Sequence, residues 1–241
     1  MKAMVLCAGY GSRLGALTRE VPKPMLALDE HPLLEYLLCH LARHGFREIA
    51  VNLHFMPEVI RDYFGDGSRC GVRLSYTYEP DLLGTAGGVK NVAGFLADEG
   101  AFLVQYGDVV TSQDFAAMLR FHQERRALAT LLVHCRRASN SAVSMDAEGR
   151  IVGFLERPSE AQRAAVPSTW AFSGVTICDP DLLGEIPPQT ACDLPRDIFT
   201  RLAPTGRLFA FPLTGQRCAV DSSERLAEAR AAVRQGHFRL D

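Results

Sequence analysis

Apolar runs alternate with amphipathic stretches through the first half of the chain. Residues 1–6 are apolar apart from Lys2 and read as a buried first strand. Residues 32–44 place Leu33, Leu34, Leu37, Leu38 and Leu41 on one helical face, with Pro32 tolerated in the first turn and Gly45 as terminator. A strand over 48–53, a short helix over 57–64 closed by Gly65-Asp66-Gly67, and a third strand over 72–79 follow. The spacing then predicts a helix over 87–96, a strand over 101–106, a helix over 113–126 capped by Ser112, and a strand over 128–136. The helix at 87–96 starts in glycines, so its N-terminus is expected to be bare and open to a ligand. This alternation argues an α/β fold, Rossmann-like and doubly wound, with a mostly parallel sheet and helices on both faces.

The second half changes character. Residues 142–146 and 150–156 flank Ala147-Glu148-Gly149 and read as a hairpin. Strands are expected at 169–177, 208–213 and 218–221, and helices at 193–202 and 223–235. The result is a small β-rich extension of the same sheet, with no repeat and no clear linker.

Composition narrows the class. The chain has 241 residues, 47% of them apolar, enough for a full core. A net charge of −2 gives no reason to expect nucleic acid or an anionic membrane, and no apolar run reaches membrane length. The seven cysteines are scattered without a C-x-x-C pair, and most fall in apolar runs as buried thiols do. Together with an N-terminus that lacks a basic-then-apolar leader, this suits a reducing cytoplasm. A homo-oligomer is left open.

The chemistry gathers first at Leu6-Cys7-Ala8-Gly9-Tyr10-Gly11-Ser12-Arg13-Leu14 and Pro22-Lys23-Pro24-Met25. Glycines let backbone N–H groups approach a ligand, and consecutive N–H groups form a concavity for anions. Arg13 and Lys23 add permanent cations, so strand, glycine loop and cations together suit a polyphosphate. The stretch is not a P-loop, because no Gly-Lys-Ser/Thr follows. It is also a poor dinucleotide fingerprint: the glycines fall at 9, 11 and 15, and the second strand ends in His54 rather than an acid for the ribose.

Asp108 ends the apolar strand Phe-Leu-Val-Gln-Tyr-Gly-Asp, outside whose carboxyl end ligands of open α/β sheets bind. It reads equally as a Mg²⁺ ligand or as a helix cap. Asp221 at the end of the last strand carries the same two readings. Glu79 precedes the Gly-rich Leu83-Gly84-Thr85-Ala86-Gly87. An ionised carboxylate accepts only, so Glu79 is able to pair the adjacent N1–H and N2–H donors of guanine.

These stretches resemble the sugar-1-phosphate nucleotidyltransferases. That family reads L-A-G-G-x-G-T-R-L then P-K-P at the first loop, with Ser12 replacing Thr here, and P-L-G-T-A-G at the second. Phe154-Leu155-Glu156-Arg157-Pro158 is similar to the family's F-x-E-K-P, and Phe172-Ser173-Gly174-Val175 to its N-A-G-I/V, with Ser173 in place of the usual Asn. The Asp221 motif is the weakest match, since Ser222-Ser223 replaces Ile-Gly-Thr. The resemblance implies transfer of a nucleotidyl group from an NTP to a sugar 1-phosphate, releasing pyrophosphate, with Mg²⁺ as cofactor. It implies catalytic roles for Arg13, Lys23 and Asp108, and metal binding by Asp108 and Asp221. Nucleotide contacts are expected from Leu6, Ala8, Gly9, Gly11, Ser12, Glu79, Gly84, Thr85 and Ala86. Sugar-phosphate contacts are expected from Tyr106, Glu156, Arg157, Ser173 and Gly174. Within one domain, 1–136 would mainly bind nucleotide, 137–222 sugar phosphate, and 223–241 form a terminal helix. GTP with a mannose- or heptose-type phosphate is the first expectation. UTP or dTTP with a hexose phosphate, a CTP-dependent transfer, and a non-catalytic nucleotide-sugar-binding subunit are the alternatives.

Overall fold

The structure, a computed structural model, describes residues 1–136, 139–166 and 168–240. In chain order its strands are β1 (Lys2–Leu6), β2 (Glu48–Leu53), β3 (Arg73–Tyr78), β4 (Phe102–Tyr106), β5 (Val109–Thr111), β6 (Ala129–Cys135), β7 (Ser141–Met145), β8 (Ile151–Glu156), β9 (Trp170–Cys178), β10 (Leu208–Pro212) and β11 (Arg217–Ala219). The α-helices are α1 (Leu33–Arg43), α2 (Pro57–Phe64), α3 (Gly84–Asn91), α4 (Ala93–Leu96), α5 (Phe115–Arg125), α6 (Glu160–Ala165), α7 (Leu182–Glu185), α8 (Thr200–Leu202) and α9 (Ser223–Arg234).

The chain forms two compact units that interleave along the sequence. The first takes residues 1–82, 104–115 and those from 214 on; the second takes 83–103 and 116–213. The crossing therefore falls inside β4.

In the first unit β1 pairs in parallel with β2, and β2 with β3, with β4 on the other side of β1. Parallel strands carry helices over their faces, so they are apolar on both sides; Ala3, Met4 and Val5 of β1 and Ile49, Ala50 and Val51 of β2 are accordingly buried. The crossover α1 buries Leu33, Leu34, Leu37, Leu38 and Leu41, the stripe read from the sequence. β5 and β11 form a separate antiparallel pair with Ala219 opposite Val109. Ser112 does not cap α5: its hydroxyl accepts from Gln216 N (2.9 Å), and α5 begins at Phe115.

In the second unit β6 lies between β10, parallel to it, and β9, antiparallel to it. β7 and β8 form the expected hairpin. Phe154, Phe172 and Phe199 pack edge to face, with ring centroids 5.6–6.3 Å apart. The β6–β9 register shifts between Leu131, opposite Thr176, and Val133, opposite Phe172, which leaves 173–175 as a bulge. Gly174 lies in it with φ +81°, a conformation that glycine adopts without strain.

Candidate active site

In the first unit the site begins where β1 stops. The loop at 9–12 is open: a Cβ at Gly9 would meet nothing within 4 Å, and Gly9, Tyr10, Ser12 and Arg13 are exposed. Gly11 sits at φ +68°, and a Cβ there would come within 3.1 Å of both Lys23 Cβ and Thr18 Cγ2, so glycine is required twice over. Thr18 holds the loop by donating its hydroxyl to Gly11 O (3.0 Å). Among the described residues the N–H groups of Gly9, Tyr10, Gly11 and Ser12 have no protein acceptor. Adjacent unpaired N–H groups in an exposed loop are an anion cradle.

Ion pairs centred on two aspartates flank it. Lys23 opens a short 3-10 turn behind Pro22 and bonds Asp108 Oδ2. Asp221 pairs with Arg225 (3.2 Å) and faces Arg13 at 3.9 Å. Asp108 precedes β5 and Asp221 follows β11, and Val220 N donates to Asp108 O (2.9 Å), so the antiparallel pair brings both acids to one end. Gly107 packs directly on the end of β1, where a Cβ would lie 2.7 Å from Leu6 O and Cys7 Sγ. That close approach sets Asp108 beside the loop. Burial, reinforced by the Asp108 carboxylate, pushes the Cys7 thiol far up, so it is a packing residue and not a nucleophile. Among the described residues no group of three or more His, Cys, Asp or Glu is placed to hold a metal ion. Mg²⁺ asks for less: it keeps several waters and takes one or two carboxylates plus substrate phosphates. Asp108 and Asp221 fit that demand.

Glu79 is placed otherwise than the strand pattern suggested. It is 1% exposed, and its carboxylate accepts from Asn52 Nδ2 (2.8 Å), which removes that oxygen from pairing with guanine. Tyr106, at the end of β4, is half-buried. The sequence reading overlooked Asn52, whose Oδ1 accepts from Cys7 N (2.8 Å). The available signal was an amide set among the apolar residues 49–53.

In the second unit α3 starts at Gly84, not at 87, and its N-terminus is not bare. Ala86 N and Gly87 N both donate to Cys192 O, at 2.9 and 3.2 Å. Thr85 gives its N–H (3.1 Å) and its hydroxyl (3.2 Å) to Asp193 Oδ1. Gly84, at φ +71°, would put a Cβ 2.5 Å from Cys192 O. The Gly-Thr-Ala segment is thus held by 192–194, a contact no local pattern announces. Ser173 also turns inward: it is fully buried and its hydroxyl bonds His134 Nδ1 (2.9 Å). Glu156 is partly buried, which raises its pKa, opposed by neighbouring Arg157. Arg157 sits at φ +47° with its side chain 81% exposed, 3.7 Å from Glu156, free to meet an anion.

A family model described as Nucleotidyl transferase matches residues 2–208. The chain belongs to this family. Among curated relatives it is 34% identical over 224 residues to a UTP–glucose-1-phosphate uridylyltransferase of Synechocystis sp., covering 87% of this chain and 57% of that protein. It is 35% identical over 207 residues to a mannose-1-phosphate guanylyltransferase of Mycobacterium tuberculosis, covering 85% and 56%. Over 118 residues, 48% of this chain and 51% of the relative, it is 44% identical to an N-acetylmuramate alpha-1-phosphate uridylyltransferase of Neisseria meningitidis. The chain spans little more than half the length of the Synechocystis and Mycobacterium relatives. A solved UDP-glucose pyrophosphorylase from Acinetobacter baumanii superposes with TM-score 0.83 at 18% identity, covering 99% of this chain and 95% of that one, which shows the shared fold. Mixed α/β architecture around a mostly parallel sheet, read from the sequence, is the family's fold.

Proposed function

We propose that this nucleotidyl transferase family member moves a nucleotidyl group from an NTP to a sugar 1-phosphate and releases pyrophosphate. The observation that carries the reading is the unpaired N–H cradle of the loop at 9–12 flanked by the Lys23–Asp108 and Arg13–Asp221 pairs. Such a site binds polyanions and supplies no general base. None is needed, because the attacking phosphate oxygen is already anionic at neutral pH. It forms the new bond to the α-phosphorus as the bond to pyrophosphate breaks.

The protein's work is positioning and charge neutralisation. The loop amides hold the β- and γ-phosphates, with Leu6 and Ala8 shaping the loop's entry. Arg13 stabilises the departing pyrophosphate, and Lys23 stabilises the α-phosphate. Asp108 and Asp221 are the residues that would hold Mg²⁺, which when bound offsets phosphate charge. Arg157 takes the acceptor phosphate, and Glu156, Tyr106 and the strand backbone at Gly174 take the sugar. The nucleotide contact expected of Thr85 and Ala86 loses its donors, since the Thr85 N–H and hydroxyl go to Asp193 and the Ala86 N–H to Cys192 O.

With Glu79 committed to Asn52, the guanine assignment loses its side-chain argument. Guanylyl transfer to a mannose- or heptose-type phosphate and uridylyl transfer to a hexose phosphate then stand side by side, as the names of the Mycobacterium and Synechocystis relatives do. A pyrophosphate-release assay crossing GTP, UTP, CTP, ATP and dTTP with a panel of sugar 1-phosphates, with and without EDTA, tests both levels. One active combination that EDTA abolishes supports the reaction and names the substrates. A blank grid with nucleotide still bound supports the non-catalytic alternative.

A further inference from the structure

The loop at 9–12 is exposed and glycine-bearing, yet it is tied to the end of β2 at two points, neither of them a phosphate contact. At its entry Cys7 N donates to Asn52 Oδ1 (2.8 Å), continuing the β1–β2 ladder one step past the Leu6–Asn52 pair through a side chain. Asn52 in turn donates to the Glu79 carboxylate (2.8 Å). Both are almost wholly buried, at 3% and 1% exposure. At the tip, Tyr10 OH meets His54 Nε2 (2.5 Å), and the rings stand edge to face with centroids 4.7 Å apart. His54 Nδ1 lies 2.7 Å from the Glu79 carbonyl. A carbonyl only accepts, so Nδ1 carries the proton; in the neutral ring Nε2 is then the acceptor for the Tyr10 hydroxyl. Glu79 N donates to Leu53 O (2.8 Å), which locks the β3 end to β2.

We propose that Asn52, His54 and Glu79 are positioning residues that hold the loop at 9–12 open for phosphate, with Tyr10 as the latch. This rests on the phosphate-binding reading above and names what prepares that site. A glycine loop left to itself samples many conformations, and ordering it on binding costs affinity. Two anchors set 3 residues apart, at Cys7 and Tyr10, remove that freedom in advance while leaving the N–H groups from Gly9 to Ser12 unpaired. The buried amide–carboxylate pair anchors the entry permanently. The exposed Tyr10–His54 bond is the part able to open and close. The arrangement gives Glu79 a reason to be acidic that has nothing to do with the base.

The probe is inorganic pyrophosphate, titrated calorimetrically into the full chain with and without Mg²⁺, alongside thermal melting. Wild-type protein that binds no pyrophosphate overturns the phosphate-loop reading and the inference with it. Given wild-type binding, Tyr10→Phe keeps the ring and loses only the hydroxyl. It is expected to weaken pyrophosphate about fivefold, the scale of one hydrogen bond, with an unchanged melting temperature. Binding within twofold of wild type overturns the latch while leaving the phosphate reading intact. In a His54→Ala background, Tyr10→Phe should add almost nothing; effects that multiply overturn the pairing. A residue of merely structural importance would move the melting temperature and the active fraction but not the affinity of the folded protein.

Discussion

At the scale of single residues, charge placement decides function. Lys23 and Asp108 are paired through their side chains beside the loop. Lys23→Ala or Asp108→Asn is expected to lower turnover about a hundredfold or more with far-UV dichroism unchanged. Normal turnover in either purified variant would remove the catalytic assignment. Glu79 makes the opposite case. Its carboxylate faces Asn52 inside the protein, so Glu79→Gln should leave the ratio of GTP to UTP use unchanged. A shift in that ratio would return Glu79 to the base. The glycine–serine loop and its cations were legible from sequence because their chemistry is local: each residue acts through its own backbone or its own charge. The direction of the Glu79 side chain was not, because Asn52, 27 residues away, determines it.

At the scale of elements, the N-terminus of α3 shows how a motif can be read correctly and its geometry missed. The glycines that open the helix expected over 87–96 suggested a bare helix end. Instead the chain at 192–194 covers it, and Gly84 and Gly87 make room for that backbone: a Cβ at Gly87 would lie 3.1 Å from Thr190 O. Asp193→Ala removes the acceptor for the Thr85 N–H and hydroxyl, and is expected to cost about 1–2 kcal/mol in urea unfolding. Gly84→Ala, at positive φ and against Cys192 O, should cost more than Asp193→Ala. Equal or smaller losses at Gly84 would show that 192–194 yields easily. Periodicity gave α1, α2 and the β7–β8 hairpin with little error, since one face of each is simply buried. It missed the polar α6, whose helix is specified by the Ser159 capping box and buries no residue.

At the scale of the whole molecule, two buried histidines set the acid limit. Burial, with His44 adding to it, lowers the pKa of His40 to about 4, and burial lowers that of His122 to about 4. In the unfolded chain both would titrate near the ordinary imidazole value, about 6.5. Between these values the unfolded chain binds protons that the folded chain refuses, so stability rises with pH across the window. The contribution is complete above the unfolded value and is lost as pH falls toward the folded one, by about 3 kcal/mol per ring at full effect. Urea midpoints measured at about pH 7.5 and about pH 5 should therefore drop at the lower pH. A flat profile would mean that one or both rings are hydrated in the folded state.

The sequence by itself determined the α/β class, the order of most elements, and the glycine loop with Arg13, Lys23 and Asp108 beside it. These follow from hydrophobic period, from glycine's backbone freedom and from fixed charge, all properties of short stretches. Tertiary structure alone decided which polar groups face outward. Asn52 reaches Cys7 across 45 residues, Thr85 reaches Asp193 across 108, and Ser173 reaches His134 across 39. Thr85 and Ser173 read from sequence as available to a ligand, and Asn52 drew no reading. All three are spent inside the protein, because a buried polar group must find a partner and only the folded chain determines which one is near.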